Sequence, residues 1–398
     1  MDIKSFRALF TPLGQEALQV AGSRQPKRAD FLSHFQQLGK AYPAEIARTA
    51  LEVAILRGEA AGKFPFAGQL YFTREALEQS SPYEVSSYRS GRFQGFNRLA
   101  DLGCSAGGDT LALAQVAHTA GFDRDPLRLL LGQANLNTLG LADRASFTRA
   151  DLSGPLPLPP DPGIGLFFDP ARRTGGRRAY SVEAYQPPLS VVFAWLEDHP
   201  AIGVKISPGV KLEELSGYDA EVEFISLYGE LKEAALWFGP LRSAVRRATL
   251  LPGPHTLVSK DSRQGSPGSV PPLRPPAAYL FEPDPAVLRA GLVRGLGEQL
   301  SAAQLDPDIA YLTADALTRT PFARAWAVES WFPFGLKRLR AYLRERRVGR
   351  VVVKKRGSPL EPAMLIRDLR LVGDQERVVF LTHLRGEPIV VICFTEQV

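Results

Sequence analysis

Between Leu99 and Ala114 the chain reads Leu-Ala-Asp-Leu-Gly-Cys-Ser-Ala-Gly-Gly-Asp-Thr-Leu-Ala-Leu-Ala. A short apolar run ending in an acid predicts a strand, the glycines a turn, and the apolar repeat from Leu111 a helix. A strand that turns this tightly into a helix belongs to a parallel α/β sheet more readily than to any all-β or all-α fold. Gly103, Gly107 and Gly108 carry no Cβ, so a ligand can approach the backbone of the turn closely.

The same alternation continues downstream. Residues 98–102, 117–123, 145–149, 165–169, 201–207, 221–227 and 233–238 read as strands, and Tyr228-Gly229-Glu230 suits a hairpin between the last two. The predicted strand tips carry Gly121-Phe-Asp-Arg-Asp125, Arg149-Ala-Asp151 and Leu166-Phe-Phe-Asp-Pro-Ala-Arg-Arg173. Asp125 precedes Pro126 and reads as a helix cap, which leaves Asp123 as the acid at the strand tip.

In this order the motifs resemble those of class I S-adenosylmethionine-dependent methyltransferases. The resemblance implies a seven-stranded, Rossmann-like α/β domain with S-adenosyl-L-methionine as cofactor. It assigns cofactor binding to Asp101, Gly103, Ser105, Gly107, Asp123 and Asp151. Asp123 would accept from the ribose hydroxyls, Asp151 would face adenine, and Asp101 would organise the loop and the methionyl amine. Ser105 stands where such loops usually carry glycine. Asp169 and Pro170 take the place of the polar residue and proline with which amino-methylating enzymes orient the attacking nitrogen, and are the catalytic candidates. Arg172 stands where those enzymes carry a stacking aromatic. Together with Arg173 it is a substrate-binding candidate, since a guanidinium can stack on a base or contact phosphate.

Four regions are expected. Residues 1–80 read as helical, with candidates at 5–19, 29–38 and 44–57; the last places Ile46, Ala50, Val53, Ala54 and Leu56 near one face. A helical cap on the following domain is the simplest role for them. Residues 81–250 form the cofactor-binding domain. Residues 251–277, with seven prolines between Pro252 and Pro276, read as a linker. Residues 278–398 restart as a compact α+β unit, with helices at 285–300, 337–347 and 362–369 and strands at 349–355, 377–384 and 388–394.

The wider pattern resembles bacterial methyltransferases that end in a THUMP-like domain. It is carried by Val204-Lys-Ile-Ser-Pro-Gly209, Leu231-Lys-Glu-Ala-Ala-Leu-Trp-Phe-Gly239, Glu282-Pro-Asp284, Leu305-Asp-Pro-Asp-Ile-Ala-Tyr-Leu312 and Lys354-Lys-Arg-Gly357. The catalytic half is more distantly similar to trimethylguanosine synthases. Residues 337–356 hold ten Lys and Arg against the single acid Glu345. The THUMP-like resemblance makes structured RNA the expected partner, with Lys354, Lys355 and Arg356 among its contacts.

Composition narrows the rest. With 45% hydrophobic and 23% charged residues the chain reads as a globular protein, and its net charge of +6 permits a polyanionic partner without requiring one. Cys104 and Cys393 are the only cysteines and the five histidines are scattered, so neither a disulfide framework nor a metal site is expected. No apolar run reaches membrane-spanning length and no signal pattern opens the chain, which fits a cytoplasmic protein. No Gly-x-Ser-x-Gly or Gly-Lys-Ser/Thr motif points to a hydrolase or nucleoside triphosphatase. A small-molecule methyltransferase and a noncatalytic RNA-binding protein that keeps the cofactor pocket stay open as alternatives. A nicotinamide-dependent dehydrogenase would leave the last hairpin and the Asp-Pro motif unexplained.

Overall fold

The computed structural model describes residues 1–174, 177–178, 181–259 and 272–397. The chain divides into two compact units, Met1–Glu221 with Lys232–Ser243, and Val222–Leu231 with Ala244–Val398.

The first unit opens with α1 (Ile3–Ala8), α2 (Pro12–Ser23), α3 (Phe31–Leu38), α4 (Ala44–Ala60), α5 (Arg74–Gln79) and α6 (Tyr83–Ser90). The helix expected over 5–19 is broken in two. Thr11 Oγ1 accepts from Gly14 N at 3.1 Å and Pro12 takes the first helical position, so α2 starts afresh there. Helix α4 departs from the expected single apolar face. Ala47, Thr49, Leu51 and Ile55 are buried along with Ala50, Val53, Ala54 and Leu56, while Ile46 is only half-buried. A helix buried on nearly all sides is a core element rather than a surface one. It packs on α1, α2 and α3, and the cluster it anchors extends to Leu111, Ala114, Leu131 and Leu136 beneath the sheet.

Nine strands make one sheet: β1 (Arg98–Leu102), β2 (His118–Asp123), β3 (Ala145–Arg149), β4 (Ile164–Phe168), β5 (Ile202–Ile206), β6 (Glu221–Leu227), β7 (Glu230–Trp237), β8 (Arg246–Leu251) and β9 (His255–Ser259). Their order is β9-β8-β6-β7-β5-β4-β1-β2-β3. Pairings from β3 through β5 are parallel, and β7 runs antiparallel to β5. Helix α7 (Gly108–Val116) crosses from β1 to β2, and α8 (Pro126–Thr138) from β2 to β3. Every residue of β4 and β5 is buried, as the central strands of a covered parallel sheet must be.

The count corrects the expectation of seven strands. Strand β8 pairs parallel with β6 and β9 antiparallel with β8. Pro252, Gly253 and Pro254 make the turn between them, where proline gives up no ladder hydrogen bond. Of the segment read as a linker, His255–Ser259 is therefore a strand, and 260–271 lie outside the described residues.

The second unit carries a seven-stranded sheet of β10 (Tyr279–Pro283), β11 (Ala303–Asp306), β12 (Ile309–Ala314), β13 (Ala323–Pro333), β14 (Val348–Lys355), β15 (Gln375–Leu384) and β16 (Glu387–Gln397). It is ordered β11-β12-β10-β13-β16-β15-β14 and is antiparallel except between β14 and β15. The helix expected over 285–300 is two, α9 (Pro285–Arg289) and α10 (Val293–Leu300), parted at Gly291 with φ +71°. Helices α11 (Leu336–Glu345) and α12 (Pro362–Leu369) pack Leu339, Leu343, Leu365 and Leu369 onto Val379, Leu381, Val390 and Ile392.

Candidate active site

The turn after β1 is held open by its backbone. Gly103 (φ +86°) and Gly107 (φ +84°) adopt conformations that disfavour a side chain, and Ser105 sits at φ +51°. A Cβ on Gly103 would come within 2.5 Å of the Asp169 carbonyl oxygen, so the ends of β1 and β4 abut there. Asp169 N donates to Leu102 O at 2.9 Å, and Gly103 N and Cys104 N both donate to Phe122 O. The loop is thus pinned between two neighbouring strand tips.

Asp123 completes the pin. Its Oδ2 accepts from Ser105 N and its Oδ1 from Asp125 N, both at 2.9 Å. A carboxylate oxygen has two lone pairs, so each keeps one for a ligand hydroxyl. Asp125 caps α8, accepting from Leu127 N and Arg128 N at 2.9 and 3.3 Å, as its place before Pro126 implies. Asp101 is fully buried; its Oδ2 accepts from Thr110 Oγ1 at 2.5 Å, and its Oδ1 has no partner. Burial, then the nearby Asp109 charge, pushes its pKa well above the usual carboxylate range. Its hydrogen bond therefore ties β1 to α7 rather than to the loop backbone. Asp151 is exposed beyond β3, with Oδ1 accepting from Ser153 N at 2.9 Å.

Behind Asp169 lies a buried charge cluster whose members Asp109, Lys205 and Glu233 fall in three separate motifs, none of which shows that they meet. Arg89, on α6, is 2% exposed and stacks 4.4 Å from the Phe167 ring centroid. It meets Asp109 at 2.5 Å and Glu233 at 2.7 Å. Ser86 Oγ donates to Asp109 at 2.7 Å, and Ser81 Oγ to Glu233 at 2.9 Å. Burial would raise the Asp109 carboxyl, but Arg89 and Lys205 outweigh it and hold the pKa low; burial prevails at Glu233, whose pKa is raised. Lys205, on β5 and 3% exposed, places Nζ 2.7 Å from Asp169 Oδ2 and 3.5 Å from Gln79 O. Lys63 donates to the carbonyls of Leu77, Glu78 and Ser80 at 2.7–3.1 Å, and burial followed by the Lys205 charge lowers its pKa to about 8. Pro170 follows Asp169, and Ala171 pairs with Gln186 through both backbone groups. Arg172, on the loop so closed, is half-buried, while the side chain of Arg173 lies outside the described residues.

Comparison with known proteins shows the family. Over 345 residues the chain is 35% identical to an uncharacterized S-adenosylmethionine-dependent methyltransferase of Mycobacterium tuberculosis, found alike in strains CDC 1551 and H37Rv; the match spans 84% of this chain and 92% of the relative. The chain belongs to the S-adenosylmethionine-dependent methyltransferases. Its cofactor is S-adenosyl-L-methionine. The fold matches a crystal structure of a candidate methyltransferase from Porphyromonas gingivalis W83 with a TM-score of 0.73 at 21% identity, covering 93% of this chain and all of that one. Residues 323–394 of the methyltransferase match a THUMP domain-like family, and residues 2–60 a domain family of unknown function.

In the THUMP-like region much of the run of cations is paired with acids outside the run. Arg346 meets Glu329 at 3.3 Å, Arg347 meets Asp374 at 3.2 Å, Arg350 meets Glu376 at 2.8 Å and Lys355 meets Glu361 at 2.6 Å. Lys354 and Arg356 share Glu282. Arg340 and Arg344 donate to the carbonyls of Asp368 and Arg370 at the end of α12, groups a helix leaves unsatisfied. The surplus of cations seen along 337–356 is thus partly a local impression. Among the described residues no helix is long and apolar enough to cross a membrane, and no group of three or more His, Cys, Asp or Glu is arranged to hold a metal.

Proposed function

We propose that this methyltransferase modifies a base in structured RNA at the tip of β4. The observation that carries the reading is the placement of Asp169: its carbonyl lies against the glycine turn and its carboxylate is held by Lys205. The cofactor supplies an electrophilic sulfonium methyl. Asp123 would hold the ribose with its two remaining lone pairs, and Gly103, Ser105 and Gly107 would let the cofactor lie on the loop. The unpaired Asp101 Oδ1 offers an acceptor for an amine, and Asp151 would face adenine. Asp169 would accept from the attacking group and aim its lone pair at the methyl, with Pro170 fixing the turn. Lys205 acts through Asp169 as a positioning residue, fixing one carboxylate oxygen and leaving the other for substrate.

The RNA assignment is supported by the THUMP domain-like match and by cations with donors to spare at Arg172, Lys354, Lys355 and Arg356. One observation favours a small-molecule acceptor instead: the salt bridges of Lys354, Lys355 and Arg356 reduce the charge offered to phosphates. Incubation with methyl-labelled cofactor and, separately, total cellular RNA, protein extract and a metabolite pool decides between them. Label is expected in RNA; label confined to metabolites would overturn the RNA reading and keep the enzyme.

A further inference from the structure

Within the second unit a cavity of about 400 Å³ opens where β10, β13 and the end of β14 meet the turn between β8 and β9. None of its lining residues belongs to the cofactor loop or the Asp169 cluster; Lys354 and Arg356 are among the cations read above as RNA contacts. Its volume falls in the lower part of the roughly 300–1,000 Å³ typical of small-ligand sites, enough for one small molecule and too little for a duplex.

The lining combines cations with apolar residues. Its cations are Arg324, Lys354 and Arg356. Lys354 and Arg356 are two residues apart and line the same cavity, whereas Lys355 between them is bound to Glu361. Aromatic faces fix both cations in place: Lys354 Nζ lies 4.7 Å from the Trp326 ring centroid, and the Arg356 guanidinium 5.1 Å from that of Tyr311. They divide one carboxylate, Glu282, and keep further N–H donors for another anion. Arg324 makes no salt bridge among the described residues, and Gly229 (φ +79°) lets the β6–β7 turn come close to it: a Cβ there would sit 2.7 Å from Nη2. The other acid of the wall, Asp284, caps α9 through Ala286 N at 2.8 Å, and its carboxylate is also attracted by the Arg324 charge. Three cations thus face two carboxylates, both engaged. The lining also includes the apolar Leu250, Leu251, Pro252 and Pro283.

We infer that this cavity binds a single phosphorylated nucleotide, its phosphate on Arg324, Lys354 and Arg356 and its base against the leucines and prolines. The nucleotide is either a free nucleoside monophosphate or one residue of an RNA strand; the second source rests on the RNA reading above, the first does not. Cations held in position by aromatic faces and a shared carboxylate lose little freedom on binding, which favours affinity in a small site.

The test is calorimetry on the full chain at low salt with the four ribonucleoside 5′-monophosphates, the matching nucleosides and inorganic phosphate. At least one monophosphate is expected to bind, about tenfold or more tighter than its nucleoside and than inorganic phosphate. Arg324→Ala should weaken that binding about 10- to 150-fold, the range for loss of a charge-assisted hydrogen bond, with cofactor affinity unchanged. Arg324 is exposed and makes no salt bridge among the described residues, so its loss is expected to leave the fold intact. Lys354→Met, checked for folding by its melting curve, should act in the same direction. Absence of monophosphate binding, equal affinity for the nucleoside or inorganic phosphate, or an Arg324→Ala protein that binds as the parent does would each overturn the inference. Displacement of the bound monophosphate by a short oligoribonucleotide identifies RNA as the source, and its failure identifies the free nucleotide. RNA methylation without monophosphate binding removes the cavity and keeps the RNA reading; monophosphate binding without RNA methylation does the reverse.

Discussion

Arg89 and Arg350 both reach a carboxylate at short range, 2.5 Å to Asp109 and 2.8 Å to Glu376, yet one guanidinium side chain is 2% exposed and the other 77%. Around Arg89 the dielectric is low and water is excluded, so each charge depends on its partners to offset the cost of leaving solvent. Around Arg350 water and salt can replace the partner at little cost. The same pairing therefore means different things in the two regions. Behind β4 it fixes the geometry of a site. On the THUMP-like sheet it leaves the cation in contact with solvent.

The sharpest test removes Arg89. Arg89→Met leaves Asp109 and Glu233 buried without their cation, and the loss should be about 3–5 kcal/mol of stability, read as a drop in denaturant midpoint. A loss below about 1 kcal/mol would place this cluster with the exposed pairs and erase the contrast. Next comes Asp169→Ala, expected to slow methyl transfer at least ~10²-fold, the lower end for a positioned orienting group. Cofactor affinity should stay close to that of the parent; retained turnover would move the chemistry away from β4. Asp123→Ala should weaken cofactor binding about 10- to 150-fold by calorimetry, since it removes charge-assisted bonds. It also releases Ser105 N and Asp125 N, so loop order needs an independent check by amide exchange.

The C-terminal region is predicted to respond to salt rather than to burial. If about four of its cations neutralise phosphates of single-stranded or loop RNA, the log–log salt slope should be near −2.8 and affinity should fall roughly 50-fold between 50 and 200 mM salt. Replacing Lys354, Lys355 and Arg356 together by alanine should flatten that slope and leave cofactor binding intact; an unchanged slope would return the face to solvent. The smallest effect belongs to Arg350→Ala, for which a stability change of about 0–1 kcal/mol is expected. A larger loss would show that exposed pairs on this sheet also bear on stability.

The parts of the molecule written in consecutive residues were legible. The glycine turn, the strand tips at Asp123 and Asp169 and the cap at Asp125 each follow from a short run whose local physics allows few alternatives. What the sequence hid was assembled from distant pieces. Arg89 lies on a polar helix, Glu233 on a hairpin strand and Lys205 in the middle of a buried strand, and nothing in their immediate neighbours signals that they meet. The partners of the basic run were hidden for the same reason, since Glu282, Glu329 and Asp374 come from other elements. Proline misled in one place. Pro252 and Pro254 read as the start of a linker because proline resists strands, yet in the turn of a hairpin it breaks no pairing, and two strands of the sheet went unseen. In α4 the periodicity was real, but contacts from several sides buried more than the stripe it marks.

The Phe147 ring has a consequence that reaches beyond its own strand. A Cβ at Gly107, at Gly121 or at Gly132 would fall within 2.9, 2.5 or 2.7 Å of that ring. These glycines come from the loop, from β2 and from α8, so one phenyl group acts as a spacer gauging the gap among three elements. Alanine at Gly132 meets the ring before anything else, so a smaller residue at 147 should make room for it; at Gly121 the Cys104 sulfur lies 3.1 Å away as well, and at Gly107 the positive φ resists a side chain whatever the space. Of the three, position 132 is therefore the one where a methyl gained can be matched by carbon lost at 147.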